Sequence, residues 1–73
     1  MSVERFLARL DGHLETVAEN ERPLVLRDTL NQLSTHRDVL LRAMSERKIP
    51  PTDLVDAMAG VWGRLNGASY EHF

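Results

Sequence analysis

Apolar residues recur along the first third of the chain at gaps of three and four residues, the period of one helix face. Ser2 is suited to cap the first backbone N–H groups, and Glu4 lies in the first turn, where a carboxylate is favoured. Asn20 and Pro23 are expected to end the segment. The pattern therefore predicts a first helix over residues 2–19, whose apolar positions are Val3, Phe6, Leu7, Leu10, Leu14, Val17 and Ala18.

A second apolar face runs through the middle of the chain and predicts a helix over residues 23–47. Pro23 fits the first helical position, because the N–H that proline lacks would have no partner there. Ser34–Arg37 could instead start a fresh helix, with Thr35 as its cap. We favour one long helix, kinked at this point. Arg37 interrupts its face, which consists of Leu26, Leu30, Leu33, Leu40, Leu41 and Met44.

The sequence IPPTD at residues 49–53 is the clearest break in the chain. A helix cannot continue into Pro50, whereas Pro51 is suited to begin the next one. Gly67 is expected to end that helix in the left-handed conformation, which leaves residues 68–73 as a flexible tail. The third predicted helix thus covers residues 51–66, and one face of it carries Leu54, Met58, Val61, Trp62 and Leu65.

These three stripes predict an all-α protein with a single helical domain over residues 1–67. The expected arrangement is a three-helix hairpin or small bundle with a long middle helix. At 1.5 Å per residue that helix would be about 37 Å long, so two shorter neighbours would leave part of its stripe uncovered. Small domains are usually completed by disulfides, a metal or a second chain. We expect a second chain here, in a homodimer, with a heteromeric complex as the alternative.

Composition argues against disulfides and a metal site, and against several functional classes. The chain has no cysteine, which excludes disulfides and thiolate metal sites, and its three histidines lack ligand spacing. Nine basic against eleven acidic side chains give a net charge of −2, whereas nucleic-acid domains usually carry a basic excess. No long apolar run predicts a membrane span or a secretory segment. We expect a cytoplasmic protein without a metal or cofactor.

Groups capable of catalysis are present but not arranged for it. His13 and His36 each have a hydroxyl nearby in the sequence, which is what polar surface commonly shows. Acid–base chemistry would need a buried carboxyl group with a raised pKa, and nothing in the pattern indicates one. We therefore expect no enzymatic activity, and we interpret as solvated the acidic pairs Asp11/Glu15, Glu15/Glu19 and Asp53/Asp56.

A helix-turn-helix interpretation of residues 41–65 keeps a DNA-binding regulator as the alternative function. The recognition helix would place Asp53 and Asp56 in its first turns, without Lys, Arg, Asn or Gln to contact base edges. Arg64, its one arginine, comes late. Nucleic acid is therefore the less favoured partner.

The charge order of the first helix and a small-residue strip in the third give two further expectations. Acidic residues lie toward the C-terminal end of the first helix, against the preference of the helix dipole. Antiparallel packing of the first two helices would compensate for this by bringing Glu15 and Glu19 near Arg22 and Arg27. A copy of the first helix across a twofold axis would do the same, with Arg5 and Arg9 facing Glu15 and Glu19. The strip formed by Ala57, Gly60 and Gly63 would let another helix approach closely.

The leading hypothesis is a non-enzymatic protein-interaction module, an adaptor or regulator that occupies a surface of a partner protein. Many small bacterial and phage adaptors share this size and helical-hairpin layout, an analogy at the level of the fold only. Trp and Arg dominate the energetics of protein interfaces. Binding is expected to run through the apolar stripes of the first and second helices, and Trp62 fits a core position and an interface position equally well. The candidate partner-binding residues are Phe6, Leu10, Leu30, Leu33, Arg37 and Trp62.

Overall fold

The structure, a computed structural model, describes residues 3–71, with the side chains of residues 3–67. No strand occurs in this part of the chain, so the prediction of an all-α protein is confirmed. A 3-10 turn at Glu19–Glu21 separates the first two helices. Over the described residues the helices are α1 (Val3–Glu15), α2 (Arg22–Thr35), α3 (Arg37–Glu46) and α4 (Thr52–Glu71).

The first helix ends four residues earlier than predicted. The Thr16 hydroxyl and the Thr16 N–H both donate to the carbonyl of His13, at 2.7 and 3.0 Å. A threonine side chain that bonds a nearby carbonyl competes with the helical ladder. The extension to residue 19 was therefore wrong, and the predicted Ser2 cap lies outside the described residues.

The predicted long middle helix is divided at His36, whose φ of −100° and ψ of 20° depart from helical values. The His36 N–H still donates to the Gln32 carbonyl at 3.0 Å, and the His36 carbonyl accepts from the Leu40 N–H at 2.9 Å. The favoured single helix is thus corrected to two. The alternative of a fresh helix was closer, although His36 rather than Thr35 is the capping residue.

The break between α3 and α4 lies where it was predicted, but it begins before the prolines. Lys48 adopts a φ of 58°, the one positive value among the described non-glycine residues. The Ile49 N–H donates to the Met44 carbonyl at 2.9 Å, and the Lys48 N–H donates to the Ser45 carbonyl at 3.1 Å. These two bonds form a Schellman motif, in which glycine usually holds the left-handed position.

The last helix continues through Asn66 and Gly67 to Glu71. No glycine in the described part of the chain has a positive φ, so the predicted stop at Gly67 is wrong. Residues 68–71 are helical rather than a tail, whereas residues 72 and 73 lie outside the described residues. Glycine permits a left-handed end but does not impose one.

The core forms where α4 packs against α1 and α2. Leu7 lies against Gly60, and Asp11 pairs with Arg64 one helical turn later, so α1 and α4 run parallel. The chain is elongated, with extents of 41 × 20 × 16 Å. Its radius of gyration is 12.9 Å, against about 11 Å for a compact chain of this length. The buried residues are Leu10, Leu26, Met44, Leu54, Ala57, Val61 and Leu65.

Candidate functional site

The structure separates the six predicted partner-binding residues into three groups. Leu10 is buried in the core, where Leu26, Val61 and Leu65 surround it. Phe6 and Leu33 line an apolar cavity of about 140 Å³ under α3. The remaining three residues line one larger groove, which we call the α4 groove: Leu30, Arg37 and Trp62.

The α4 groove has a volume of about 700 Å³ and lies between α4 and the segment that contains the α2–α3 break. One wall comes from α2 and α3 and consists of Leu30, Arg37 and Leu41. The opposite wall comes from α4, with Pro51 and Thr52 at its entry, followed by Leu54, Val55, Met58, Ala59 and Trp62. The lining is therefore almost wholly apolar, and Arg37 is its one charged residue.

The exposure of Trp62 follows from the helical period of α4. Val61 is fully buried, and the next residue is rotated by about 100°, away from the core. Trp62 is 54% exposed and Val55, two turns earlier on the same face, is 64% exposed. Sequence reasoning placed Trp62 on the same apolar face as Leu65 and left open whether it belongs to the core or to an interface. The signal it missed is the second, outward stripe of α4.

Arg64, the basic residue nearest to Trp62 in the sequence, is engaged elsewhere. Its Nε and Nη2 donate to the two carboxylate oxygens of Asp11 at 2.6 and 2.8 Å, and its Nη1 donates to the Gly60 carbonyl at 3.0 Å. The hydrogen bonds from Arg64 to the carboxylate hold the pKa of Asp11 below its ordinary value, against the opposing effect of partial burial. The pair fastens α1 to α4, and the sequence separation of its partners hid it from pattern analysis.

Among the described side chains, Glu15 and Glu19 form no ion pair with Arg22 or Arg27, contrary to the expectation. Arg22 binds backbone groups. Its Nε donates instead to the carbonyls of Leu14 and Val17, at 2.9 and 3.4 Å. The guanidinium therefore caps backbone groups that the end of α1 leaves without helical partners. Arg37 differs from both of these arginines. Among the described side chains it has no hydrogen-bond or ion-pair partner, so its guanidinium is available at the groove.

The strip of small residues in α4 is shared between two environments. Ala57 is buried, and a Cβ added at Gly60 would lie 2.6 Å from Leu7 Cδ1, so this part of the strip accommodates α1. A Cβ at Gly63 would have nothing within 4 Å. The strip therefore explains the close α1–α4 contact but leaves Gly63 without a role in the single chain.

Polar chemistry is sparse in the described part of the chain. No group of three or more His, Cys, Asp or Glu residues there is placed to hold a metal ion. No described buried side-chain nitrogen or oxygen lacks a hydrogen-bond partner. None of the helices over the described residues has the length and hydropathy needed to cross a membrane. The α4 groove is thus the candidate site.

No model of a known family, no curated protein and no solved structure matches this chain.

Proposed function

We propose that this chain is a non-enzymatic protein-interaction module, an adaptor or regulator that binds another polypeptide through the α4 groove. One observation above all supports the proposal: Trp62 is 54% exposed beside an apolar groove in a domain that has little core. Burying a large apolar side chain contributes about 1.5–3 kcal/mol. Exposed tryptophans on apolar concave surfaces are typical of binding hot spots.

The dimensions of the groove fit an amphipathic helix. Its α4 wall runs from Pro51 to Trp62, a length of about 17 Å at 1.5 Å per residue, or three helical turns. Leu30, Met58 and Trp62 offer apolar contacts over this length, which is how helix-binding grooves recognise their ligands. Two kinds of chain present such a helix: a foreign protein and a second copy of this one.

Arg37 adds specificity to this apolar surface. It is exposed at the groove wall, and guanidinium groups bind carboxylates through two parallel hydrogen bonds. A foreign occupant is therefore expected to carry a Glu or Asp beside its apolar stripe. The affinity of a correct partner should depend on both its carboxylate and its apolar stripe, because the apolar contacts are not specific by themselves.

The competing function is a DNA-binding regulator that uses α4. DNA binding would need cationic side chains on the exposed face of α4. The exposed residues there are Val55, Ala59 and Trp62, with the acidic Asp56 beside them. The single basic residue of α4, Arg64, already binds Asp11. DNA binding is therefore less well supported, because phosphate contacts require Lys or Arg side chains.

Affinity capture with matched variants tests the proposal. Trp62→Ala removes an exposed aromatic ring from the groove, whereas Val39→Ala truncates an exposed apolar side chain of α3 outside it. We expect capture to weaken at least tenfold, about 1.4 kcal/mol, for Trp62→Ala alone. If both variants retain the same proteins as the wild type, the groove is not the binding surface. Tight, steeply salt-dependent binding to duplex DNA would favour the competing function instead.

A further inference from the structure

We infer that the occupant of the α4 groove is a second copy of this chain, docked by antiparallel pairing of the two α4 helices. In this arrangement Trp62 of each copy packs over Ala59 of the other. The inference rests on the proposed function, since it assumes that the groove is the binding surface. It differs from a homodimer built on the α1 and α2 stripes, because those stripes already form the core of the single chain.

The outward face of α4 has the spacing of a helix–helix seam. Its five positions are separated by three, four, three and four residues, the a/d spacing of a coiled coil. All five are exposed: Thr52, Val55, Ala59, Trp62 and Asn66. The face is polar at both ends, with two large apolar residues around a small one. A twofold axis midway between positions 59 and 62 places Trp62 of each copy opposite Ala59 of the other, because the two positions are equally far from that axis.

The small residues on this face leave room for a tryptophan. Ala59 lies at the centre of the seam, and Gly63 beside it has no atom within 4 Å of an added Cβ. An exposed glycine inside a helix costs about 1 kcal/mol relative to alanine, and close approach of another chain is a common reason for keeping one. An incoming indole fits over these two positions, where a larger side chain would exclude it.

The exposed surface of the chain matches what a dimer would bury. The chain exposes 5513 Å², whereas a compact monomer of 8.3 kDa exposes about 4,600 Å². The excess of about 900 Å² is close to the roughly 800 Å² that each partner contributes to a standard interface. A net charge of −2 adds little repulsion between two copies. An interface of standard size with a second copy would therefore bury an area comparable to this excess.

Light scattering on a sizing column is the direct test, with two alanine-to-lysine variants. Ala59 and Ala8 are both exposed inside helices, and lysine is a good helix former. Ala59→Lys places a charge in the seam, whereas Ala8→Lys places one on α1. We expect a wild-type dimer, a dimer for Ala8→Lys, and at least a hundredfold weaker association for Ala59→Lys, with unchanged helicity and a red-shifted Trp62 emission.

The orientation of the two helices is tested with a single introduced cysteine, since the chain contains none of its own. A spin label on Thr52→Cys lies near one end of the seam. In the antiparallel pair the two labels should be separated by at least about 20 Å along the helix axis, at 1.5 Å per residue. A separation near 10 Å, the distance between neighbouring helix axes, would overturn the antiparallel arrangement.

The outcomes distinguish this inference from the proposed function. A dimer that Ala59→Lys disrupts and Ala8→Lys preserves supports the second copy. A monomer at every concentration, with capture that still depends on Trp62, overturns the second copy and leaves the proposed function in place. If Ala59→Lys remains a dimer, docking through α4 is wrong. If Trp62→Ala also captures the same proteins as the wild type, the proposed function through the groove is wrong as well.

Discussion

Lys48 occupies a conformation that its own side chain disfavours. Its φ of 58° serves the Schellman motif at the end of α3, but for a residue with a Cβ this region costs about 1–2 kcal/mol. We expect Lys48→Gly to raise the free energy of unfolding by up to about 1 kcal/mol, because relief of the strain outweighs the entropy that glycine adds to the unfolded chain. Urea denaturation measures the change.

Glu46→Gly is the matched control for this substitution. Glu46 lies in the last turn of α3, where it is exposed, so glycine there should lower the free energy of unfolding by about 1 kcal/mol. Opposite signs at positions 46 and 48 indicate that the left-handed turn exists in solution. A loss of stability for Lys48→Gly as large as that for Glu46→Gly would contradict it.

The ion pair between Asp11 and Arg64 predicts a dependence of stability on pH. The pKa of Asp11 is lowered in the folded chain, so the pair contributes fully at pH values above the ordinary aspartate pKa of about 3.9. The contribution is lost as the pH falls through the lowered folded pKa. Because the Asp11 side chain is 50% exposed and that of Arg64 31% exposed, solvent screening limits the contribution to about 1 kcal/mol or less.

Asp11→Asn is therefore expected to lower the free energy of unfolding at pH 7 by up to about 1 kcal/mol and to have almost no effect near pH 2. Asp28→Asn, at an exposed position of α2, provides the comparison at both pH values. Urea denaturation at high and low salt should show that the Asp11 effect shrinks with ionic strength. An effect of equal size at both pH values would mean that Asp11 acts through something other than its charge.

Between elements, the packing of α1 against α4 includes a close approach at Gly60. A Cβ at Gly60 would lie 2.6 and 2.8 Å from the two methyl carbons of Leu7, so the Leu7 side chain would have to move. We expect Gly60→Ala to lower the free energy of unfolding by about 1 kcal/mol, since overpacking outweighs the gain in helix propensity. Chemical denaturation measures the change.

Gly12→Ala supplies the opposite case on α1. A Cβ at Gly12 meets nothing within 4 Å, so this substitution should raise the free energy of unfolding by about 1 kcal/mol through helix propensity alone. The contrast between the two alanines isolates the packing contribution at Gly60. Equal stabilisation by both would contradict the packing cost at Gly60, because the Leu7 side chain would then make room for the added methyl group without loss of stability.

At the scale of the whole molecule, association and folding are expected to be coupled. A second copy that binds only the folded chain stabilises it by mass action. The midpoint of thermal unfolding, followed by circular dichroism, should therefore rise by several degrees over about a hundredfold range of protein concentration. Ala59→Lys should abolish this dependence, whereas Ala8→Lys should retain it. A midpoint independent of concentration in the wild type would contradict the coupling.

The helical class and the main break were predictable because both depend on local properties of the chain. Gaps of three and four residues between apolar positions predict helices regardless of what the helices contact. Pro50 excludes helix continuation by its own covalent structure, so the interruption between α3 and α4 was expected from one residue. The buried positions Leu26, Val61 and Leu65 followed from the same periodicity.

Other features were decided only by the tertiary structure, because they depend on contacts between distant residues. Asp11 and Arg64 meet across 53 positions of sequence, and Gly60 is constrained only because Leu7 lies against it. Trp62 has the apolar character of a core residue, but α1 and α2 cover the neighbouring faces of α4 and leave this one open. Hydrophobicity determines which side chains benefit from burial, whereas the packing of neighbouring helices determines which of them are covered.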